Sequence, residues 1–500
     1  MPHLLPLGFE SLQLLLATTV LVAGSYLLVS TIHQYYRLRH IPGPPLAGLS
    51  KWWWLKNEWG GQMCLKLYEV TEKYGRIARI APNMLVTDDP DLMKRMLNVR
   101  TGYQRSSYYT ALQVDPGVDH ILSAVDDTTH AKLRSKMAAG YSGKEVEGVE
   151  PRIDRNIRAL ITLLEEKYIR QNKPFDFARK AQYFTLDAIS DISYGEAFGF
   201  IPSDSDLYHY IQEIEAGLKA MLILSLWPWL INLLSMPGFR SLVKFEDTVG
   251  FGRIKKIARD KSAERFGPSA KLKNDMLGSF VKHGLTQNEA NNEIVIQILA
   301  GSDTTATVIR ATLLHVITNP RVAEALRKEL EARGITGRDE ESIISDAEAR
   351  TLPYLQATIK EGMRIFPPVS GVSPKVVPPG GDTFKGVHLP AGTWVGYCAW
   401  GVMRRPEIFG EDAAEFRPER WLEAGPEKLK EMESTLELTF GYGRWQCLGK
   451  TIALIELNKV FVELLRRFDL VVVDPTNPWT TKNIGIHSQS NLWIKGSKRG

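Results

Sequence analysis

A single cysteine in a glycine-rich loop constrains this chain more than any other feature. Cys447 lies in residues 440–449 (FGYGRWQCLG), directly ahead of a helical stretch. Gly441, Gly443 and Gly449 allow sharp turns and let a flat, bulky partner approach the backbone closely. Loop N–H groups and a helix N-terminus stabilise a thiolate. A lone thiolate lacks the further ligands of a tetrahedral zinc site, but it suits a haem iron, which takes one axial thiolate.

The loop resembles the haem-binding segment of the haem-thiolate monooxygenases, the cytochrome P450 superfamily. The shared pattern is Phe440, two residues, Gly443, three residues, Cys447, one residue and Gly449. The resemblance implies haem b as the cofactor, Cys447 as the axial ligand of its iron, and Phe440 as part of the cofactor pocket. The alternative is an ordinary cysteine buried in a turn.

One position departs from the family pattern. An Arg that pairs a haem propionate in the family is replaced by Trp445, and Arg444 precedes it. The resemblance also places His130 and Arg134 of one helix, and Lys375 of a strand, near the propionates. Lysine gives a point charge and no planar fork, so we expect propionate anchoring to be weaker than the family norm or shifted to Arg444. A satisfied surface histidine is the alternative for His130.

A second motif, residues 300–305 (AGSDTT), lies within a long helical pattern over residues 293–313. Ser and Thr inside a helix bond to the preceding carbonyls and distort it. Gly301 has no side chain, so a planar cofactor could approach there. The resemblance implies that Thr304 holds water for oxygen activation and that Asp303 relays protons. The alternative is an N-cap at which a helix begins.

An ion-paired helix segment follows. Glu361 and Arg364 are three residues apart in an apolar stretch that ends at Pro367. An exposed pair at this spacing stabilises a helix by only roughly 0.2–0.5 kcal/mol, so a buried bidentate pair is the better interpretation. The resemblance adds Arg420 from residues 416–421 (FRPERW). It predicts a structural triad that supports folding and haem retention.

The predicted fold is mainly α with small β-sheets, the cytochrome P450 fold, preceded by one N-terminal transmembrane helix. The chain has 500 residues, 44% of them hydrophobic, which is enough for a large core. Its net charge of +5 does not indicate nucleic-acid binding, and three cysteines are too few for a disulfide framework. Helical patterns dominate up to Pro367, with a hairpin at residues 76–88 and strand signals at residues 376–402.

The N-terminus has the pattern of a membrane anchor. Residues 12–32 form an uncharged run long enough to cross a bilayer, and aromatic and basic residues follow at 35–40. A cleaved signal peptide is the alternative, but no Lys or Arg precedes the run. Prolines after residue 41 predict a stiff spacer. We therefore predict a single-pass anchor in the endoplasmic reticulum membrane (1–40), a proline-rich hinge (41–50) and a cytosolic haem-thiolate monooxygenase domain (51–500).

The resemblance implies insertion of one atom of O2 into a lipophilic small molecule. The sequence contains no flavin or nucleotide-binding fingerprint, so electrons would come from an NADPH–cytochrome P450 reductase. Lys132, Lys136, Arg444 and Lys450 are candidates for a basic docking face. The loop and its surroundings look most like the fungal pisatin demethylase group, whose members tailor secondary metabolites. Segments expected to contact the substrate are residues 105–109, 222–234, 296–300, 369–372 and 484–486.

Two other functions share part of this pattern. A haem-thiolate isomerase or dehydratase would keep Cys447 but need no reductase, and such enzymes often lack the acid–alcohol pair represented here by Asp303 and Thr304. A desaturase on the same fold is a related alternative. A haem sensor or electron carrier would fill both axial positions or expose the haem, and it would need no apolar channel. The acid–alcohol pair favours the monooxygenase.

Overall fold

Helices make up most of the chain, and the strands are short. The computed structural model describes residues 9–499, except residues 235, 237–249, 269, 272 and 338–341. The helices are α1 Phe9–Arg37, α2 Trp52–Trp59, α3 Met63–Tyr74, α4 Pro90–Leu97, α5 Asp127–Tyr141, α6 Val149–Leu164, α7 Phe177–Tyr194, α8 Phe200–Ser203, α9 Tyr210–Leu224, α10 Pro228–Leu234, α11 Gly250–Ala263, α12 Met276–Lys282, α13 Gln287–Ile317, α14 Pro320–Ala332, α15 Asp346–Ala349, α16 Pro353–Ile365, α17 Ala399–Val402, α18 Pro406–Phe409, α19 Arg420–Glu423, α20 Pro426–Leu436 and α21 Lys450–Arg467. The strands are β1 Ile77–Ala81, β2 Met84–Thr87, β3 Gln104–Arg105, β4 Phe175–Asp176, β5 Lys375–Val376, β6 Asp382–Phe384, β7 Val387–Leu389, β8 Trp394–Tyr397, β9 Phe468–Val472, β10 Thr480–Asn483, β11 His487–Ser490 and β12 Trp493–Lys498. The predicted class, mainly α with small sheets, is confirmed.

Helix α13 is the centre of the core. It begins at a capping box, in which the Glu289 carboxylate accepts the Thr286 N–H at 2.8 Å and the Thr286 hydroxyl accepts the Glu289 N–H at 3.3 Å. The helix packs against α7, α11, α16 and α21. Because neighbours surround it, apolar residues occur on nearly all its sides, and most of its side chains are buried.

The largest sheet has five strands in the order β1-β2-β8-β5-β3. The hairpin predicted at residues 76–88 is confirmed as β1 and β2, which pair antiparallel. Strand β8 pairs parallel to β2, with Met84 opposite Trp394. At the other edge, β5 lies antiparallel to β3, with Lys375 opposite Arg105. This register places two cations side by side, and both reach the site described below.

The N-terminal segment is attached to the domain. Among the residues whose side chains are described, no helix is long and apolar enough to cross a membrane, so the predicted transmembrane helix is not confirmed. The Arg79 guanidinium donates to the carbonyls of Gln34 at 2.9 Å and Gly48 at 3.1 Å. Ile41 and Ala47 are buried. Part of the proline-rich segment 41–50 is therefore packed on the domain.

The three residues predicted as a structural triad lie together in the core. Arg364 donates to both carboxylate oxygens of Glu361, at 2.7 and 2.8 Å, and Arg420 donates to one of them at 3.0 Å. The Trp421 indole and the Arg417 backbone N–H donate to the same carboxylate at 2.9 and 2.8 Å. Burial alone would raise the pKa of Glu361, but the hydrogen bonds and charges of Arg364 and Arg420 lower it.

Replacing Arg364 with Met should destabilise the protein by about 3–5 kcal/mol, because Glu361 would lose its bidentate partner while still buried. The free energy of unfolding in urea measures this loss. Lys66→Met is the matched control, since it breaks an exposed pair with Glu69, whose side chain is 60% accessible. Exposed pairs contribute about 0–1 kcal/mol. Equal losses in the two variants would contradict the structural role of the triad.

Candidate active site

The cysteine loop is closed by backbone contacts that require glycine. Gly441 has φ +77°, and a Cβ there would lie 2.6 Å from the carbonyl oxygen of Trp445. The N–H of Cys447 donates across the loop to the Phe440 carbonyl at 2.6 Å. Helix α21 begins three residues later, at Lys450. The loop therefore holds the cysteine side chain in a fixed place ahead of a helix N-terminus.

The sulfur of Cys447 is enclosed by protein yet remains accessible. The side chain retains an exposed surface, although burial by the surrounding protein is the largest influence on its thiol. Burial raises the pKa of the Cys447 thiol; the N–H groups of Gly449 and Lys450 and the charge of Arg134 oppose that rise. These donors favour the thiolate.

Trp445 is packed among cationic side chains. The Lys375 Nζ lies 3.3 Å from the centroid of its ring, and the Arg105 guanidinium carbon lies 4.4 Å from it. The His130 ring centroid is 4.3 Å away. Arg134 donates to the Gln446 carbonyl at 2.7 Å. The structure thus brings His130, Arg134 and Lys375 to the cysteine loop, and it adds Arg105 to them.

These cations are short of acidic partners. In the part of the chain that the structure describes, Lys375 Nζ and His130 Nδ1 are buried without a hydrogen-bond partner. Burial, followed by the charge of Arg105, lowers the pKa of Lys375 to about 6. The same two causes, together with Arg134, lower the pKa of His130 to about 3. His130 is 2% exposed, so the surface-histidine alternative is wrong.

The expected shift of propionate anchoring to Arg444 is not supported. Arg444 forms an ion pair with Asp127 at 2.9 Å, and its guanidinium carbon lies 6.0 Å from the Trp445 ring centroid. Its charge is therefore already balanced by its own chain. Lys375 and Arg105 are the closer and less neutralised cations. An accessible sulfur beside such cations fits an iron porphyrin, which needs one soft ligand and carries two carboxylates.

The central helix presents two different faces at the second motif. Ala300 is exposed and Thr304 half-buried, although most of α13 is buried. The Thr304 hydroxyl donates to the Ala300 carbonyl at 2.7 Å. Asp303 is 5% exposed and faces α7, where the Gln182 amide donates to its carboxylate. Burial raises the pKa of Asp303 to about 6, against the lowering effect of Arg310.

Gly301 has a packing role that its position in the motif did not predict. A Cβ at this residue would lie 2.7 Å from Cγ1 of Ile189 on α7. Glycine is required here because the two helices are in close contact. The space on its Cβ side belongs to Ile189. The approach of a planar cofactor at Gly301 stays a prediction.

Four of the five segments expected to contact substrate converge. They share one apolar cluster, whose members include Tyr108, Tyr109, Leu222, Val372 and Ile484. The Ser370 and Gly371 N–H groups both donate to the Gly485 carbonyl, at 3.0 and 2.9 Å. Residues 296–300 instead lie on α13. The structure therefore brings these parts of the chain, distant in sequence, to one apolar surface.

The comparisons with known proteins agree with this geometry. A profile of the family described as Cytochrome P450 matches residues 42–493. The chain belongs to the cytochrome P450 family. It is 41% identical over 490 residues to "Cytochrome P450 monooxygenase ABA1" of Pyricularia oryzae, covering 96% of each chain. It is 37% identical over 466 residues to "Cytochrome P450 monooxygenase aba1" of Botryotinia fuckeliana, covering 92% of this chain and 91% of the relative.

A cytochrome P450 is a haem-thiolate enzyme, so the cofactor of this chain is haem and its activity is that of a monooxygenase. The third named relative, "Cytochrome P450 monooxygenase abl1" of Leptosphaeria maculans, is 35% identical over 459 residues and is covered over 80% of its length. The resemblance noted for the cysteine loop is thereby confirmed.

Sequence reasoning missed the partners of Asp303 in this cytochrome P450. Gln182 lies 121 residues earlier, on a helix whose side chains are nearly all buried. Arg310 is fully buried two turns after Asp303 and donates to Gln182 at 2.9 Å. A polar residue within the buried α7 was the available signal, but its partner depends on how α7 and α13 are aligned.

The predicted basic face is largely neutralised by its own chain. Lys136 pairs with Glu289 at 2.7 Å, and Arg444 with Asp127 at 2.9 Å. Lys450 pairs with Glu437. Of the four cations predicted there, Lys132 is exposed. The face therefore carries less charge than the sequence indicates.

Haem affinity should fall as the pH rises from 6 to 8. The pKa of Lys375 is about 6 in the ligand-free protein, and a propionate beside it would raise that pKa. Binding in this range then takes up a proton, and affinity decreases by up to about tenfold per pH unit. Competition for haem with apomyoglobin measures the effect.

Lys375→Arg keeps its charge and should flatten this pH dependence, whereas Lys375→Met should weaken binding throughout. Lys385→Met is the control, because Lys385 is exposed and pairs with Asp89 at 2.7 Å. A pH profile unchanged in Lys375→Arg would contradict the assignment.

Proposed function

We propose that this cytochrome P450 is a membrane-bound monooxygenase that oxidises a lipophilic secondary metabolite of a fungus. One oxygen atom of O2 enters the substrate and the other leaves as water. NADPH supplies two electrons through a cytochrome P450 reductase, and solvent supplies the protons. The observation that carries the proposal is the enclosed but accessible sulfur of Cys447, in a chain whose central helix opens one face at Ala300 and Thr304.

Cys447, Arg105, Lys375, Arg134 and His130 are the residues that would hold the haem. When bound, a thiolate-ligated haem supplies cleavage of the O–O bond and oxidation of a C–H bond. Cys447 would provide the thiolate ligand, which the N–H groups of Gly449 and Lys450 stabilise. Lys375 and Arg105 provide charge for the propionates, and Arg134 and His130 support the loop on which the ligand sits. Phe440, Trp445 and Arg444 complete the surroundings of the cysteine.

Thr304 and Asp303 have different roles in proton delivery: Thr304 binds a water molecule, and Asp303 supplies protons to it. Because the Thr304 hydroxyl proton is directed to the Ala300 carbonyl, the Thr304 oxygen can accept a hydrogen bond from a water molecule. Asp303 has a pKa raised to about 6, so both of its protonation states are populated near neutral pH. The hydroxyl then holds water in place, and the carboxyl supplies protons to it.

The apolar cluster at residues 108–109, 222, 372 and 484 supports a lipophilic substrate. Apolar and aromatic side chains are the usual lining of sites for lipophilic ligands, and they offer few groups that distinguish polar substituents. The relatives named above are fungal monooxygenases. These two facts favour a tailoring step on an apolar secondary metabolite.

Aromatic residues support attachment to a membrane. Trp52, Trp59 and Trp229 are 65%, 64% and 61% exposed. Lys51 lies 5.8 Å from the Trp227 ring centroid and Lys219 lies 4.6 Å from that of Trp59, so α2 packs near α9 and α10. Exposed tryptophans are typical of the interface with lipid headgroups. We place residues 1–40 in the endoplasmic reticulum membrane as a single span, with residues 41–50 as a packed connector and 51–500 as the cytosolic catalytic domain.

This arrangement predicts the outcome of protease protection. In sealed fungal microsomes, protease added outside should degrade the catalytic domain of the full chain, while an epitope tag placed before Met1 stays protected. After carbonate extraction the intact chain should remain in the membrane pellet. Recovery of the chain in the carbonate supernatant, or loss of the tag without detergent, would contradict the single span.

Carbon monoxide binding tests the haem assignment. The reduced protein with carbon monoxide should show the strongly red-shifted Soret band of a thiolate-ligated haem with an open distal position, and Cys447→Ser should lose it. Cys64→Ser, which changes a buried cysteine on α3, should retain the band. A haem spectrum without the shift would mean that Cys447 is not the thiolate ligand. Folded protein without haem would refute the proposal.

A further inference from the structure

Asp303 and Thr304 are adjacent in sequence but lie on different sides of α13. Successive residues of an α-helix point about 100° apart. Thr304 and Ala300 lie on the accessible side, whereas Asp303 faces α7 and is buried. Gln182 of α7 donates its amide hydrogen to Oδ1 of Asp303. At rest, the carboxyl therefore points away from the side on which Thr304 lies.

Arg310 determines which way the Gln182 amide faces. Its guanidinium donates to Oε1 of Gln182 at 2.9 Å and to the Ala178 carbonyl at 2.8 Å. A guanidinium can only donate, so Oε1 must be the atom that faces it. The NH2 group of Gln182 is then left to face Asp303. This orientation follows from donor–acceptor chemistry alone.

The surroundings of Asp303 combine charges from three helices. Arg310 on α13 and Arg179 on α7 lower its pKa, while Glu215 on α9 raises it. Arg179 and Glu215 also pair with each other at 3.0 Å, so their effects largely cancel. The Tyr210 hydroxyl on α9 is buried, and burial, followed by the negative charge of Asp303, raises the pKa of that phenol. Gln182 and the Tyr210 phenol carry no charge, and Gln182 is the one that donates to Asp303.

We propose that Gln182 is the positioning residue for proton delivery: it holds the Asp303 carboxyl on the α7 side and controls its release toward the water held by Thr304. The inference rests on the proposed function. In the step itself an O–H bond of Asp303 breaks and an O–H bond forms on that water. Asp303 then takes a proton from the α7–α9 side, so one proton crosses the helix and no electrons move.

A hydrogen bond from Gln182 stabilises the ionised form of Asp303. Removing that bond must therefore move the titration of Asp303 to higher pH. Gln182→Leu removes the donor. Gln182→Glu keeps an acceptor for Arg310 but places a second carboxyl beside Asp303, and it should move the titration further. Electrostatics therefore predicts that the pH at which Asp303 titrates rises in the order wild type, Gln182→Leu, Gln182→Glu. A merely structural role for Gln182 would not produce this order.

The experiment uses the full chain with haem and reductase and needs no identified substrate. The fraction of NADPH consumption recovered as hydrogen peroxide is measured from pH 5 to 9. The midpoint of its pH dependence should rise by about 0.5–1 unit in Gln182→Leu and by more in Gln182→Glu. NADPH oxidation at pH 7 should fall about tenfold in both variants, because the positioned acid is disturbed.

Asn156→Leu is the matched control. The Asn156 amide on α6 is buried and donates to the Asp191 carboxylate on α7 at 3.0 Å, so this variant loses the same kind of bond elsewhere in the core. Its free energy of unfolding should fall about as much as that of Gln182→Leu. The pH midpoint should remain that of the wild type. A midpoint that moves equally in Asn156→Leu would overturn the inference.

Two further variants separate this inference from the proposed function. Thr304→Ala and Asp303→Asn should both raise the peroxide fraction if proton delivery passes through these residues. If neither variant changes it, the proposed roles of Thr304 and Asp303 fail, and the role of Gln182 fails with them. If both variants change it while the Gln182 variants behave like Asn156→Leu, only the positioning role is overturned.

Discussion

The carboxylate of Glu361 is the contact on which much of the C-terminal half depends. Arg364 and Arg420 neutralise it, and they also donate to backbone carbonyls of irregular segments, among them those of Met403, Ala413 and Glu415. Buried carbonyls outside helices and sheets need donors from elsewhere. Two guanidinium groups supply several donors each in a fixed plane, which lysine cannot do. This network shapes the chain before it reaches the cysteine loop, and so it acts on the site through folding.

The cations around Trp445 differ from Glu361, whose charge two arginines neutralise, because they pack against an aromatic ring. Lys375 and Arg105 face each other across β5 and β3, and they share one aromatic ring in place of an acid. A cation over an aromatic ring gains roughly 0.5–2 kcal/mol, less than a buried ammonium loses on leaving water. The lowered pKa of Lys375 is the visible result. An anionic group at this place would therefore stabilise the fold and be retained by it, which couples cofactor retention to the stability of the five-stranded sheet.

The sequence predicted those parts of the structure that depend on neighbours along the chain. Alternation predicted the β1–β2 hairpin, and spacing with apolar context predicted the buried Glu361–Arg364 pair. The sequence did not predict that close contact with Ile189 requires glycine at position 301, or that Gln182 donates a hydrogen bond to Asp303. Both contacts depend on the alignment of α7 with α13. Nor did it predict that Arg444 pairs with Asp127, which is distant in sequence. Contacts between elements are set by packing, and a single sequence carries little record of them.

The alignment of α7 with α13 has a consequence for any chemistry at Cys447. Ile189 fills the place of a Gly301 side chain, so the two helices are in van der Waals contact close to the motif. Such contact excludes water from the α7 side of α13, which strengthens every charge interaction of Asp303 and raises its pKa. Thr304 on the other face remains accessible. One helix thus has a buried side, on which the Asp303 carboxyl lies, and a more accessible side, which carries Thr304. Gln182 lies on the buried side, where it accepts a hydrogen bond from Arg310 and donates one to the Asp303 carboxylate.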